Sequence, residues 1–141
     1  MVTVREFLKR LLEEKPEESG ETVDAELDVR LQQARQQGWV EDQDIHSLEE
    51  AIDRRTAARI LHMYRRKVLG ISDVPDISPA YNLRDLFDCR VCANHIAQVV
   101  LQGVMEPVQV GDMTIFDVYR KLTEEEAEIY IDRAGRYDGR K

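Results

Sequence analysis

The chain has 141 residues, 20 basic against 28 acidic side chains for a net charge of −8, and 43% hydrophobic residues. That length predicts one domain able to bury a sizeable core without help from a metal or disulfide. The acidic balance argues against nucleic acid or an anionic membrane as partner, two cysteines make no disulfide framework, and no apolar run approaches the ~18 residues of a membrane span.

The first segment reads MVTVREFLKRLLEE. Thr3 with Glu6 is a capping box, and Val4, Phe7, Leu8, Leu11 and Leu12 share one helical face. Arg5, Lys9 and Arg10 interrupt the apolar residues, so the segment predicts an amphipathic helix and not a signal peptide. Residues 14–21, with Pro16 and Gly20, read as a linker. Good helix formers from Val23 to Gln37 end at Gly38, and Trp39 and Val40 form a short apolar step. Asp42 and Asp44 flank Ile45 and Leu48, which predicts a turn and a short helix.

Asp53 is placed to cap a helix from Arg54 to about Val68, with Ala57, Ile60, Leu61, Tyr64 and Val68 on one side. After the break at residues 72–76, a further helix is predicted from near Leu83 to Gln102, stopped by Gly103. The best strand signals are Val108 to Val110 and Met113 to Phe116, around the Gly111-Asp112 turn. Thr123 with Glu126 is a second capping box and opens a last helix to about Ala134. The fold class is mostly α.

Two parts of the chain match. Leu31 to Glu41 aligns with Ile96 to Glu106, placing Gly38 on Gly103, and Ile52-Asp53 with Ala57 and Leu61 aligns with Leu122-Thr123 with Ala127 and Ile131. Each unit is a helix, a glycine stop, two apolar residues, a loop and a capped helix, and neither alone could cover its apolar face. The predicted organisation is an N-terminal helix over 1–18, a first unit over 19–70, and a second over 71–141 with an inserted segment, all in one compact domain.

This unit resembles an S-layer homology repeat, a module that anchors bacterial surface proteins to cell-wall polysaccharide. Ser72-Asp73-Val74-Pro75 is similar to the family's opening segment and Gly103-Val104-Met105 to its glycine step. Gly111 to Phe116 is similar to its turn, and Leu122 to Ala127 sits where its Thr-Arg-Ala-Glu helix begins. In the first unit Gly38-Trp39-Val40 and Ile52 to Ala58 play those parts. The resemblance implies grooves between neighbouring repeats that bind an anionic sugar. The family's binding arginine falls on Arg54 in the first unit and on Glu124 in the second. An arginine clamps an acidic group through charge-assisted hydrogen bonds, and a glutamate repels it.

Other residues invite chemistry. Arg55, Arg59, His62 and Arg66 follow one another at helical spacing and form a cationic stripe for an acidic sugar or acidic partner, or a face salt-bridged to Glu49, Glu50 or the 124–128 acidic run. Trp39 could stack on a sugar ring, but its place after the glycine stop favours the core. Cys89, Cys92 and His95 are weak metal candidates, short of the four ligands zinc takes. His46 and His62 lie far away in sequence. The pair falls inside the predicted helix, which favours two free cysteines packed in an apolar stripe over a redox pair, since a redox pair works best at a helix N-terminus.

No nucleophile elbow, phosphate loop or zinc-protease motif is present. The expected function is therefore a non-catalytic binding module without a cofactor. The candidate ligand residues are Arg54, Arg55, Arg59 and Trp39, and the expected partner is an anionic cell-wall polysaccharide or an acidic protein. A cytoplasmic interaction or regulatory protein with the same fold is the first alternative, and a small metal or redox protein using Cys89, Cys92 and His95 the second. As given, the chain is expected in the cytoplasm, and at the cell surface only if it belongs to a longer exported precursor.

Overall fold

A computed structural model describes residues 2–14 and 24–135. Its α-helices are α1 (Val4–Glu14), α2 (Asp24–Gln37), α3 (Asp42–His46), α4 (Arg54–Lys67), α5 (Ala93–Leu101) and α6 (Glu124–Ala134). Strands β1 (Val108–Val110) and β2 (Met113–Ile115) form an antiparallel hairpin with Val108 opposite Ile115 and Val110 opposite Met113. The described residues are thus mostly α, as the sequence predicts. The predicted linker and the boundary after residue 18 lie outside the described residues, Glu14 at the end of α1 excepted.

Helices α1, α4 and α6 open alike. The Thr3 hydroxyl accepts from Glu6 N–H at 3.1 Å while Thr3 N–H donates to the Glu6 carboxylate, also at 3.1 Å. The same reciprocal pair joins Thr123 and Glu126, both bonds at 3.1 Å, and Asp53 accepts from Thr56 N–H at 2.9 Å. Each cap satisfies a backbone donor that the helix itself cannot. The segments leading into these helices are joined side by side. Antiparallel bridges pair Thr3 with Ala51 and Asp53 with Lys121. Ile52 N–H donates to Val2 O at 2.9 Å, and Leu122 N–H to Ile52 O at 3.0 Å. The N-terminal helix is therefore a third member of the set that α4 and α6 make.

The two glycine stops also agree. Gly38 has φ +97° and Gly103 φ +78°, a left-handed turn that glycine makes without steric cost. Trp39 N–H donates to Ala34 O at 3.2 Å and Val104 N–H to Val99 O at 2.8 Å, the wide closing bond of a left-handed helix end. The apolar pairs that follow, Trp39-Val40 and Val104-Met105, are all buried. The loops after them differ: α3 occupies the first and the β1–β2 hairpin the second.

One predicted element is corrected. No helix runs from Leu83 to Gln102. Residues Ser78–Asn82, Leu86–Asp88 and Arg90–Cys92 form single 3₁₀ turns, and α5 starts only at Ala93. Backbone groups in this stretch bond outside it: Arg84 N–H donates to Thr114 O at 2.9 Å. Cys89 is extended, with φ −123° and ψ 99°, which ends any helical run there.

The core gathers Phe7, Leu8 and Leu11 of α1, Leu27 and Leu31 of α2, Ile60 and Leu61 of α4, Ile96 of α5 and Ile131 of α6. Helix α4 is central, packing on α5 and on α6, and α6 also packs on α1. Arg54, first residue of α4, lies within this core at 0% exposure. Its Nε donates to Phe116 O at 2.7 Å, Nη2 to Glu106 O at 2.6 Å and Nη1 to the Tyr130 hydroxyl at 3.2 Å. The Glu126 carboxylate is 3.7 Å away, and the guanidinium stacks over the Phe116 ring at 4.6 Å. This corrects the expectation for Arg54. It ties the start of α4 to the segments flanking the hairpin and to α6, and has no donor turned to solvent.

Candidate functional site

The Arg55–Arg66 face of α4 is built around four carboxylates, of Asp53, Asp44, Glu41 and Asp73. Arg55, next after the buried Arg54, lies over the Tyr119 ring at 4.8 Å, with its Nε 3.3 Å from Asp53. One turn on, Arg59 makes two bonds to Asp44, at 3.1 and 2.5 Å. Asp44 is 2% exposed and its carboxylate also accepts Glu41 N–H at 2.9 Å, so it anchors α3 against α4. Arg66 approaches Asp73 at 3.6 Å. The predicted cationic stripe exists, but among the described residues its partners are Asp53, Asp44, Asp73 and, 3.9 Å from Arg59, Glu41, and not Glu49, Glu50 or the 124–128 run. Trp39 is 2% exposed, packed edge-on against Tyr64 at 5.1 Å, and serves the core.

Between Arg59 and Arg66 lies His62, which the sequence separates from His95 by 33 positions. The fold brings them together. His62 Nε2 is 2.7 Å from Asp73 Oδ1, and His62 Nδ1 is 2.8 Å from His95 Nδ1. With both rings neutral, the proton on His62 Nε2 goes to the carboxylate, so His62 Nδ1 accepts from His95. That tautomer leaves His95 Nε2 as a free acceptor. Burial pushes the His95 pKa down to about 4, with further lowering from the neighbouring His62 and Arg59.

This shift has a pH signature. The unfolded imidazole takes its proton near pH 6.5 and the folded one only near 4, so the unfolded state binds more protons in between. Stability is expected to fall as pH drops from about 6.5 toward 4, by about 2 kcal/mol once the ring's partial solvent access is discounted. Urea midpoints at pH 7 and 4.5 would measure it, and His95→Asn should flatten that part of the profile.

Cys89 and Cys92 are joined in a disulfide, with Cα atoms 5.2 Å apart. This corrects the expectation of two free cysteines in a helical stripe. The pair precedes α5, and Cys92 is the residue that caps it. The helix-interior objection to redox chemistry therefore falls, because Cys92 stands at the N-cap position of α5 and not in a helix interior. A bridge closing so short a loop adds only about 2 kcal/mol through the unfolded state, less than a wide one. Among the described residues, no cluster of three or more His, Cys, Asp or Glu side chains could hold a metal ion.

These groups meet at a cavity of about 460 Å³. One wall is the start of α4, with Asp53, Arg55, Thr56 and Arg59. Asp44 and Glu50 come from the α3 region, Lys121 from the lead-in to α6, and Cys89, Val91, Cys92 and His95 from the opposite side. Three cations and four carboxylates line it, so the groove is polar and nearly balanced in charge. Of the sequence-predicted residues, Arg55, Arg59, Cys89, Cys92 and His95 converge here, while Arg54 and Trp39 do not. Sequence reasoning missed Asp44, Asp73 and Lys121, whose partners lie in other elements and leave no local pattern. Among the described residues, no helix is long and apolar enough to cross a membrane. Comparison with protein-family models, with curated proteins and with solved structures finds no match.

Proposed function

We propose that the protein is a non-catalytic binding module of the S-layer homology kind, and that its groove at the start of α4 takes an acidic saccharide of the cell-wall polysaccharide class. The observation that carries this reading is the groove itself. It lies where a capped helix, the loop after a glycine stop and the lead-in to the next capped helix converge. Three helices that open alike support the repeat character on which the reading depends. The ligand arginine passes from Arg54 to its neighbour Arg55, which is half-exposed, and Lys121 adds a second solvent-facing cation. With four carboxylates beside them, affinity rests on hydrogen bonds to sugar hydroxyls as much as on charge.

Calorimetry with a purified acidic wall polysaccharide tests this. One site is expected, weakened by salt because exposed charges are screened within about 8–10 Å. Arg55→Glu or Lys121→Glu should weaken binding by about tenfold or more, each reversing a charge at the groove. Glu124→Arg, on exposed α6 surface, should leave the first site as it is. No heat from the wild-type protein would overturn the wall reading and favour the cytoplasmic interaction protein.

A further inference from the structure

We propose that the Cys89–Cys92 disulfide is a redox-active thiol–disulfide site, which takes two electrons from a dithiol, with His95 as the acceptor of one accompanying proton. This inference does not depend on what else the groove binds.

Four observations converge on it. The bridge closes a four-residue turn, far tighter than a disulfide needs to be to hold distant elements together. Val91, between the two cysteines, is 86% exposed, whereas Cys89 and Cys92 are 8% and 9% exposed, so a partner reaches the sulfurs through the cavity they line. Both cysteines and His95 line the same cavity, which has room for a small thiol or a cysteine side chain. Cys92 occupies the N-cap position of α5, where the helix dipole favours a thiolate, and Arg55 and Arg59, each paired with an aspartate, line the same cavity.

The exchange balances as follows. A thiolate of the dithiol attacks Cys89 Sγ, the Cys89–Cys92 bond breaks, and Cys92 leaves as the thiolate that the helix terminus favours. The second thiol of the partner then attacks its own sulfur in the mixed disulfide and releases Cys89. The dithiol is oxidised to a disulfide, and the protein pair is reduced by two electrons. Of the two protons lost by the dithiol, one ends on Cys89 and the other on His95, which lines the same cavity as the Cys92 thiolate. His95 can take it because its Nδ1–H is directed to His62, which is held in turn by Asp73. The charged groups around this ring are Arg59 and Arg66 of α4, Asp73 of the following loop, and Asp44 of α3 across the cavity.

The test uses the purified full chain, oxidised, treated with dithiothreitol at pH 7 and quenched by alkylation, with free thiols counted by mass. The native pair should be reduced at least tenfold faster than the same pair in urea-unfolded protein. A native disulfide that opens only after unfolding would make it a structural staple and overturn the proposal. His95→Asn should slow native reduction about tenfold and flatten its dependence on pH, with the helical circular dichroism unchanged. Should that variant fail to fold, proton NMR of the wild type supplies the second reading. The His95 ring should titrate at least one pH unit higher in the reduced protein than in the oxidised one. Identical titration in both states would remove His95 from the exchange.

Discussion

Arg54→Met is expected to lower the free energy of unfolding by about 3–5 kcal/mol, the usual loss when one member of a buried charged network is removed. The methionine fills much of the space but leaves Phe116 O, Glu106 O and the Tyr130 hydroxyl without the donor they share. Arg54→Lys should lose nearly as much. A lysine ammonium is a single point, and three acceptors arranged around a planar fork cannot all reach it. Arg54→Glu should prevent folding, because it sets a second carboxylate beside Glu126 in a site with no solvent access. Urea titration of the methionine and lysine variants measures the effect. A change below about 1 kcal/mol would show that Arg54 does not hold α4 to the hairpin segment and α6.

Asp85→Ala is the second large effect, about 2–4 kcal/mol. Asp85 Oδ1 accepts Phe116 N–H at 2.7 Å, and Oδ2 accepts Asp117 N–H at 2.7 Å and Val118 N–H at 3.2 Å. One carboxylate thus satisfies three successive backbone donors in the loop after β2. Asp117 has φ +67°, a left-handed conformation unfavourable for a side-chain-bearing residue, and these bonds hold it there. Phe116 O is also a principal acceptor for Arg54, so the two residues act on one loop from opposite sides. Their losses should not add: the double variant is expected to fall short of the sum, as neighbours in one network do. Asp85→Asn, which keeps an acceptor but loses the charge, should lie between wild type and alanine.

Local chemistry was legible in the sequence. Both Thr–Glu capping boxes, the Asp53 cap and the glycine stops were readable because their partners sit within a few residues of each other. The position of Trp39 after a glycine favours the core, where it lies, although it also stands among the candidate ligand residues. What failed was non-local. Apolar spacing predicted a helix over 83–102, but nothing in that spacing shows that Asp85 is engaged by a backbone 31 to 33 residues away or that Cys89 is extended. Arg54 looked like a ligand residue for the same reason, since its acceptors lie 52 to 76 positions further on. The groove shared this blindness: Arg59 was in view, but Asp44, which fixes it, could not be told from other surface acids. His62 and His95 looked unrelated until α4 and α5 packed together.

The stitching of the three lead-in segments bears on how the chain acquires its shape during synthesis. Helix α1 emerges from the ribosome well before α6, yet its apolar face is covered in part by α6, more than a hundred residues later. The ladder between them runs through residues 50–54, so the middle of the chain must be in place before either end can dock. Such long-range closure is slow, because the entropy of the intervening loops is lost before the contacts form. Nascent chains stalled anywhere before α6 should therefore expose the Phe7, Leu8 and Leu11 face of α1 to chaperones. Protease resistance should appear abruptly, only once α6 has cleared the exit tunnel.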